Sequence, residues 1–542
     1  MTSTPPAPAE PLFIPDLLCA DARVRVDLPS LRQALVFAFA AGAPSEVFDE
    51  PLIAADLPPS TWRRSDFARD LYVDEIAEKC LAIRVAGKAY RACGRYVGRV
   101  LGSPPRDDRD VQLRRDVLAE VVGSKDRRAG LEQVYLLILK VRALLSAPRQ
   151  TAPRVRRIEI LRAIREVFEL LASSFGDATS ALARLRKFGA AVVASRAHRR
   201  LVDLLDHDEH LGSLDLRVRV GADGEVRALE IVRVEENTAN PFHLSALRRF
   251  WTRVVLFLRG FRTTPGEIAE RLLSEVFSGV EEPVALLFQL MGDIEVVLGA
   301  IGFRDQAAHH GLPVCLAELT APETPLELDG LFNPLLLVAG MIPKPCDVRT
   351  GPNAIAIVTG PNSGGKTRLL QALGIAQLLA QAGLFTPARR ARIPSASGLF
   401  ASLFEEARSD QPEGHLGMEL LRIRKLFEDV DAGGLVVLDE LCSGTNPSEG
   451  EEIARLVLSL LPELGVRAFV TTHLLQFAAG LLRESSGSRL EFLQVELDAS
   501  ERPTYQFVPG VARTSLAHKT AARLGVTREE LLARIAAKRR VT

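Results

Sequence analysis

Between Leu31 and Leu205 apolar residues recur mostly at steps of three and four, which predicts amphipathic helices, with breaks at Pro58-Pro59, Pro104-Pro105 and Pro148. The sharpest case sets Val155, Ile158, Leu161, Ile164, Phe168 and Leu171 on one stripe, against which a neighbouring element should pack. Its other face carries Arg154, Arg156, Arg157, Arg162 and Arg165. That face reads as solvated or, as the second choice, as a surface for nucleic-acid phosphates. Leu214–Val220 and Val226–Val234 alternate apolar with charged residues around Gly221-Ala222-Asp223-Gly224, the pattern of a β-hairpin. Helical spacing resumes near Leu244 and runs to His310. From Ala354 onward short apolar strands alternate with helices, which predicts a parallel α/β sheet.

Composition narrows the class. A length of 542 residues is a prior of about three to four domains. The 68 Lys+Arg and 68 Asp+Glu cancel, which excludes a wholly basic nucleic-acid binder but leaves room for a local basic face. With 47% hydrophobic and 25% charged residues the chain is neither disordered nor collagenous. Its six cysteines form no C-x-x-C pair and read as reduced cytosolic thiols. The start, Met1-Thr2-Ser3-Thr4-Pro5-Pro6, lacks the features of a signal peptide. The apolar run Pro283–Phe303 has Asp293 and Glu295 at its centre. Two unpaired carboxylates are costly in lipid, so a buried core helix is expected there. These features together predict a cytoplasmic protein with no membrane partner.

The candidate chemistry lies in the last two hundred residues. Ala354–Thr359 reads as a buried strand, and Gly360-Pro361-Asn362-Ser363-Gly364-Gly365-Lys366-Thr367 follows at once, with a helix after it. This is the pattern G-x-x-x-x-G-K-[ST]. Its glycines let backbone N–H groups converge on phosphate oxygens, and the helix N-terminus adds its dipole. Lys366 can reach the β- and γ-phosphates of ATP, and the Thr367 hydroxyl can ligate Mg²⁺. The bare pattern arises by chance in a chain this long with odds of roughly one in a hundred. A second strand, Leu435–Leu438, ends in Asp439-Glu440. Asp439 is the expected second Mg²⁺ ligand, and Glu440 the residue that orients or deprotonates the attacking water. A third strand, Ala468–Thr472, delivers His473 to the same edge as a γ-phosphate contact.

Thr359–Thr367, Leu438-Asp439-Glu440, Ser443–Gly450 and Thr471-Thr472-His473 together resemble the MutS family of DNA mismatch-repair ATPases. Tyr505–Val511 with Ser515 and the helices to Arg539 look like that family's C-terminal helical extension. Gly330–Pro334 is similar to the segment before its ATPase sheet, and Gly292–Pro313 to the end of its lever helices. The resemblance implies a homodimer of ATPase heads that use ATP and Mg²⁺ at a composite interface, with helical levers closing a clamp around DNA. Only about 73 residues separate Lys366 from Asp439. That leaves no room for the coiled coil of an SMC protein, and no L-S-G-G-Q run marks a transporter ATPase. The expected architecture is multidomain: an α-helical lever and clamp region followed by an α/β P-loop domain of ABC type. Residues 1–120 form a mostly helical segment, 121–340 a helical core with the hairpin near 214–234, and 341–542 the ATPase with dimerisation helices from about 510.

Two departures qualify the resemblance. The stretch Ser409–Glu419 has no Ser after Gly414 where the family's Gly-x-Ser-Thr-Phe-like signature would supply a hydroxyl to the partner's nucleotide; His415 or a backbone N–H is the alternative donor. Nor does the N-terminal region read as a mismatch-recognition domain. Phe48-Asp49-Glu50 and Phe404-Glu405-Glu406 both fit the family's Phe-x-Glu wedge, but a chain with 24 Phe should contain one or two such tripeptides by chance at about 6% Glu. Asp206-His207-Asp208-Glu209-His210 lacks a second set of metal ligands and reads as a solvated helix end. The leading expectation is an ATP-switched, dimeric DNA clamp for structured, branched or mismatched DNA in repair or recombination control. Any strand cutting would fall to a downstream repair protein. The alternative is a ribosome- or protein-binding ATPase module in which slow hydrolysis acts as a timer.

Overall fold

The computed structural model describes residues 13–146, 153–209, 213–220, 226–235, 265–403, 414–441, 446–484, 489–514 and 526–541. The chain is a multidomain mixture of helix and sheet, and its contacts divide it into two compact units interleaved in sequence. One unit comprises residues 1–17, 21–56 and 120–294, and the other residues 18–20, 57–119 and 295–542.

The first unit is largely helical. The helix Pro153–Ser173 packs between Lys125–Ser146 and Leu182–Ala194. Because it has neighbours on both sides, its buried face is wider than one stripe: Ile160, Ala163 and Val167 are buried along with Leu161, Ile164, Phe168 and Leu171. Gly189 marks the closest approach, since a Cβ there would lie 2.5 Å from the backbone nitrogen of Ala172. Val155, expected on the apolar stripe, is exposed.

The arginine face of this helix is corrected by the structure at two of its five positions, while Arg154 is exposed and Arg162 and Arg165 are half-buried, Arg165 pairing with Glu169 one turn on. Arg156 and Arg157 are only 4% and 9% exposed. They lie at the carbonyl end of the helix Leu28–Ala41, where Arg156 donates to the carbonyls of Ala38 (3.1 Å) and Phe39 (2.8 Å), and Arg157 to that of Ala40 (3.1 Å). Cations are stabilised where a helix leaves its last carbonyls unsatisfied. These two arginines therefore cap a helix and face neither solvent nor a nucleic acid. The wedge candidate Phe48 is also a core residue, fully buried in the helix Glu46–Ile53 with its ring stacked 4.9 Å from Phe288. Phe404 lies outside the described residues. Ser213–Val220 and Val226–Glu235 do pair as an antiparallel hairpin.

The long helix Pro265–His309 contains the apolar run with its two carboxylates. Its stretch from Leu273 is long and apolar enough to cross a membrane, but the most apolar window is wholly buried inside the protein. Asp293 pairs with the guanidinium of Arg25 and accepts the Leu17 N–H at 3.0 Å, while Arg25 also lies 3.4 Å from Asp16. Gln289, one turn earlier, accepts the Arg25 N–H at 2.6 Å. In the second unit Glu295 accepts the Cys93 N–H at 2.8 Å.

The second unit is built around a six-stranded sheet of β1 (Ile355–Thr359), β2 (Leu399–Ser402), β3 (Leu435–Leu438), β4 (Arg467–Thr471), β5 (Leu490–Leu497) and β6 (Pro503–Pro509). The order is β2-β3-β4-β1-β5-β6; the first five strands are parallel and β6 is antiparallel to β5. Tyr505–Pro509, expected to open a helical extension, thus forms the edge strand of the main sheet. Helix α1 (Lys366–Gln381) contacts this sheet on one side and strands of a four-stranded sheet, formed by Glu318–Thr320, Arg390–Pro394, Leu326–Leu331 and Cys346–Thr350, on the other. Enclosure from both sides explains why α1 is buried around nearly its whole circumference.

Burial raises the Asp293 carboxyl to about 6, outweighing the attraction of Arg25, and the nearby charge of Asp16 adds to the rise. The folded chain therefore binds this proton more tightly than the unfolded chain. The resulting stabilisation is complete below about pH 4 and is lost as pH rises through about 6, a change of at most about 3 kcal/mol. Asp293→Asn, which stays neutral, should flatten the stability profile over that window in urea unfolding. An unchanged slope would mean that Asp293 remains ionised beside Arg25.

Candidate active site

Parallel strands converge on a crevice at their C-terminal ends, and the loops that leave β1, β3 and β4 meet there. The Gly360–Thr367 loop leaves β1, Asp439-Glu440 leaves β3, and Thr472-His473 leaves β4. Residues more than a hundred positions apart are thus brought together along one sheet edge.

The loop is shaped by what presses on it. Gly360 (φ 144°) and Gly365 (φ 85°) hold backbone angles that L side chains avoid. A Cβ on Gly360 or Gly364 would lie 2.6 or 2.8 Å from the Val495 side chain of β5. Gly365 precedes α1, whose first N–H groups have no acceptor within the helix and carry the positive end of its dipole. Lys366 is buried, and its Nζ is 3.0 Å from the Gly360 carbonyl and 3.3 Å from that of Pro361, with Asn362 Oδ1 at 3.5 Å. Burial lowers the Lys366 pKa, opposed by the negative charges of Glu440 and Asp439. Converging N–H groups, a buried ammonium and glycines that no Cβ could replace suit a phosphate chain.

The carboxylates are held from several directions. One oxygen of Asp439 accepts the Thr367 hydroxyl and the other the Thr471 hydroxyl. The same Thr471 oxygen accepts the Glu440 N–H at 2.8 Å, and the Asp439 N–H donates to the Ser402 carbonyl at 2.9 Å. Glu440 adopts a left-handed backbone (φ 48°), uncommon for a residue with a side chain and costing of order 1–3 kcal/mol unless its surroundings impose it. The bond to Thr471 does so. Thr367 and Asp439 are hard oxygen donors side by side, the set that Mg²⁺ takes when phosphates supply further ligands. His473 is exposed just beyond β4, where the Thr472 N–H donates to the Val358 carbonyl at 3.1 Å.

Several site residues escape sequence reasoning. A cavity of about 600 Å³ opens beside the loop, walled by Phe332, Met341, Ile342, Lys344, Tyr505 and Phe507. The Lys344 ammonium lies 5.3 Å over the Tyr505 ring, and Tyr505 backs Gly365 from the edge strand. Asn333 caps its own short helix through Leu335 N–H (3.0 Å) and donates to the Arg368 carbonyl of α1 (3.1 Å). Only pairing with β5 carries Tyr505 to the loop, and no local spacing signals it. The expected trans-acting stretch, Ser409–Glu419, lies outside the described residues up to Pro412-Glu413, and from Gly414 it begins helix α2 (Gly414–Asp429). Ser443-Gly444-Thr445 also lie outside them, and Asn446 caps helix α3 (Pro447–Leu464). Asp206–Glu209 end the helix Arg196–Glu209, and His210 lies outside the described residues.

Thr471→Val removes a hydroxyl at nearly constant shape, leaving an Asp439 oxygen and the Glu440 N–H short of a partner. The variant should be destabilised by about 1–3 kcal/mol in urea unfolding. An unchanged midpoint would show that water replaces the hydroxyl at no cost.

Comparison with known proteins follows the same region. Residues 356–538 match the family model described as MutS domain V. The chain is 38% identical over 179 residues to the Endonuclease MutS2 of Thermus thermophilus, covering 33% of this chain and 24% of that protein. It is 38% identical over 196 residues to the Endonuclease MutS2 of Thermomicrobium roseum, covering 35% and 24%. It is 31% identical over 269 residues to that of Pelotomaculum thermopropionicum, covering 48% and 32%. The matched part of the chain thus spans about a quarter to a third of the length of these relatives. The matched region contains the loop, both carboxylates and every strand of the main sheet after the first residue of β1, so this part of the chain is similar to a MutS domain V.

Proposed function

We propose that the chain is an ATPase of MutS type whose nucleotide state switches a homodimeric clamp on DNA, in repair or recombination control. The observation that carries this reading is Asp439 held between Thr367 and Thr471, next to the buried Lys366 and the constrained Glu440. Bound ATP with Mg²⁺ would supply the phosphoanhydride and the charge that polarises it. Gly360–Thr367 would cradle the phosphates with their N–H groups, and Lys366 would turn its ammonium from the loop carbonyls toward them. Thr367 and Asp439 would hold Mg²⁺, releasing their mutual hydrogen bond to do so. Glu440 would take a proton from the attacking water, and His473 would contact the γ-phosphate. The apolar cavity with Phe332 and Tyr505 is suited to the base.

Five cysteines among the described residues are free. Burial pushes the Cys80 and Cys346 thiols up to about 12 and that of Cys315 to about 11, so these thiols stay protonated. Free thiols are what a reducing compartment such as the cytoplasm leaves, and that location is proposed here. The name endonuclease belongs to the relatives, and no cutting step is assigned to this chain. DNA is proposed as the partner on the strength of the family, with a downstream repair protein acting after it. A clamp switched by nucleotide must bind DNA with different affinity in its ATP, ADP and nucleotide-free states, because a ligand shifts an equilibrium only by its differential affinity.

ATP turnover by the purified chain should rise with four-way-junction or mismatched DNA. DNA affinity should change about five- to 150-fold between nucleotide states and should fall steeply with salt. Lys366→Ala should abolish ATP binding. Glu440→Gln should keep binding while losing about a hundredfold or more in turnover. Equal DNA affinity in all nucleotide states, or stimulation by ribosomes alone, would overturn the DNA-clamp reading; normal turnover by Glu440→Gln would overturn the role of Glu440.

A further inference from the structure

Residues 57–119 belong to the same compact unit as the main sheet, and one buried carboxylate joins them to its edge. Asp70 is buried. One of its oxygens accepts the N–H of Leu403, the residue after β2, at 2.9 Å, and the other lies 3.2 Å from the Arg422 guanidinium on α2. Arg422 also donates to the Ser402 hydroxyl at 3.1 Å. Ser402 ends β2, and its carbonyl accepts the Asp439 N–H at 2.9 Å. Asp70 therefore grips the end of β2 from two directions, and the end of β2 holds the backbone of Asp439.

Neighbouring bonds seat the same segment. Lys425 of α2 lies 2.7 Å from the buried Asp66, and Arg63 pairs with Asp429. Trp62 Nε1 donates to the Ala396 carbonyl at 3.1 Å, just before β2. Exposed ion pairs contribute little. A buried carboxylate with a bond to each oxygen is different, because removing its partners leaves a charge that water cannot reach.

We propose that Asp70 and Arg422 are positioning residues for the site: they fix Ser402, and through its carbonyl they set where the Asp439 carboxylate stands. The N-terminal segment is thereby part of the ATPase machinery, acting on the metal-binding carboxylate and touching no nucleotide. The proposal rests on the reading of Asp439 as a Mg²⁺ ligand.

The test uses the full chain with Asp70→Asn, Arg422→Gln, the double variant and the conservative Arg422→Lys. Amide hydrogen exchange without nucleotide is read in peptides covering 399–403 and 435–441. Exchange there should rise about tenfold in each single variant and no further in the double, the signature of residues acting as one unit. Elsewhere it should stay unchanged, and Arg422→Lys should recover part of the protection. The Mg²⁺ concentration for half-maximal ATP turnover should rise about ten- to a hundredfold, with ATP binding in the absence of Mg²⁺ retained. Unchanged exchange and Mg²⁺ dependence would overturn the proposal, as would faster exchange throughout the unit, which would mark a role in stability alone. If Asp70→Asn does not fold, Arg422→Gln, whose side chain is a third exposed, decides the matter by the same outcomes. A wild-type chain that binds no ATP would overturn the Mg²⁺ role of Asp439, while the exchange data would still decide whether Asp70 and Arg422 hold it.

Discussion

The candidate site depends on one carboxylate having two hydroxyl partners. Asp439 is bound by Thr367 of the loop after β1 and by Thr471 at the end of β4, so three strands are locked at their C-terminal ends by one side chain. Thr471 also fixes the Glu440 amide and with it a left-handed backbone that the residue would not adopt alone. Hydrogen bonds to a charged acceptor are the strong ones, and the flanking strands are almost wholly apolar. The polar groups at this edge therefore have few competing partners. The geometry of Lys366, Thr367, Asp439 and Glu440 follows from that lock together with the glycine loop.

Elsewhere the same physical rule turns charged residues into structural ones. Arg156 and Arg157 satisfy the last carbonyls of a helix, and Arg25 pairs with Asp293, a carboxylate that the long helix carries into its core. Each charge is buried because a partner is there to meet it. The basic pair Arg156-Arg157 on the helix Pro153–Ser173 and the acidic pair in an apolar run look like two separate oddities in sequence. Both are the ends of bonds whose other ends lie far away along the chain.

Much of the second unit was legible before its structure. Short apolar runs at 354–359, 435–438 and 468–472 read as buried parallel strands. A strand, a glycine loop and a helix in immediate succession define a phosphate cradle locally, because the chemistry needs contiguous backbone N–H groups. The placement of Asp439, Glu440 and His473 was readable for a related reason: each lies within two residues of the end of an apolar strand, and parallel strands deliver their ends to one edge. Tyr505 was misread as the start of a helical extension because a short edge strand and a helix approach share the same mixed texture.

The sequence by itself determined the strand–loop–helix cradle, the acidic strand end, the hairpin and the core helix with its two carboxylates, since each is set by neighbours within a few residues. Tertiary structure alone decided which partners those groups meet: Thr471 for Asp439, Arg25 for Asp293, Asp70 for the end of β2, and Tyr505 for the wall of the cavity. Partners separated by tens to hundreds of residues leave no periodicity to read. For Asp293 and Asp70 burial then makes the pairing obligatory, because an unpaired charge away from water costs more than the fold can spare.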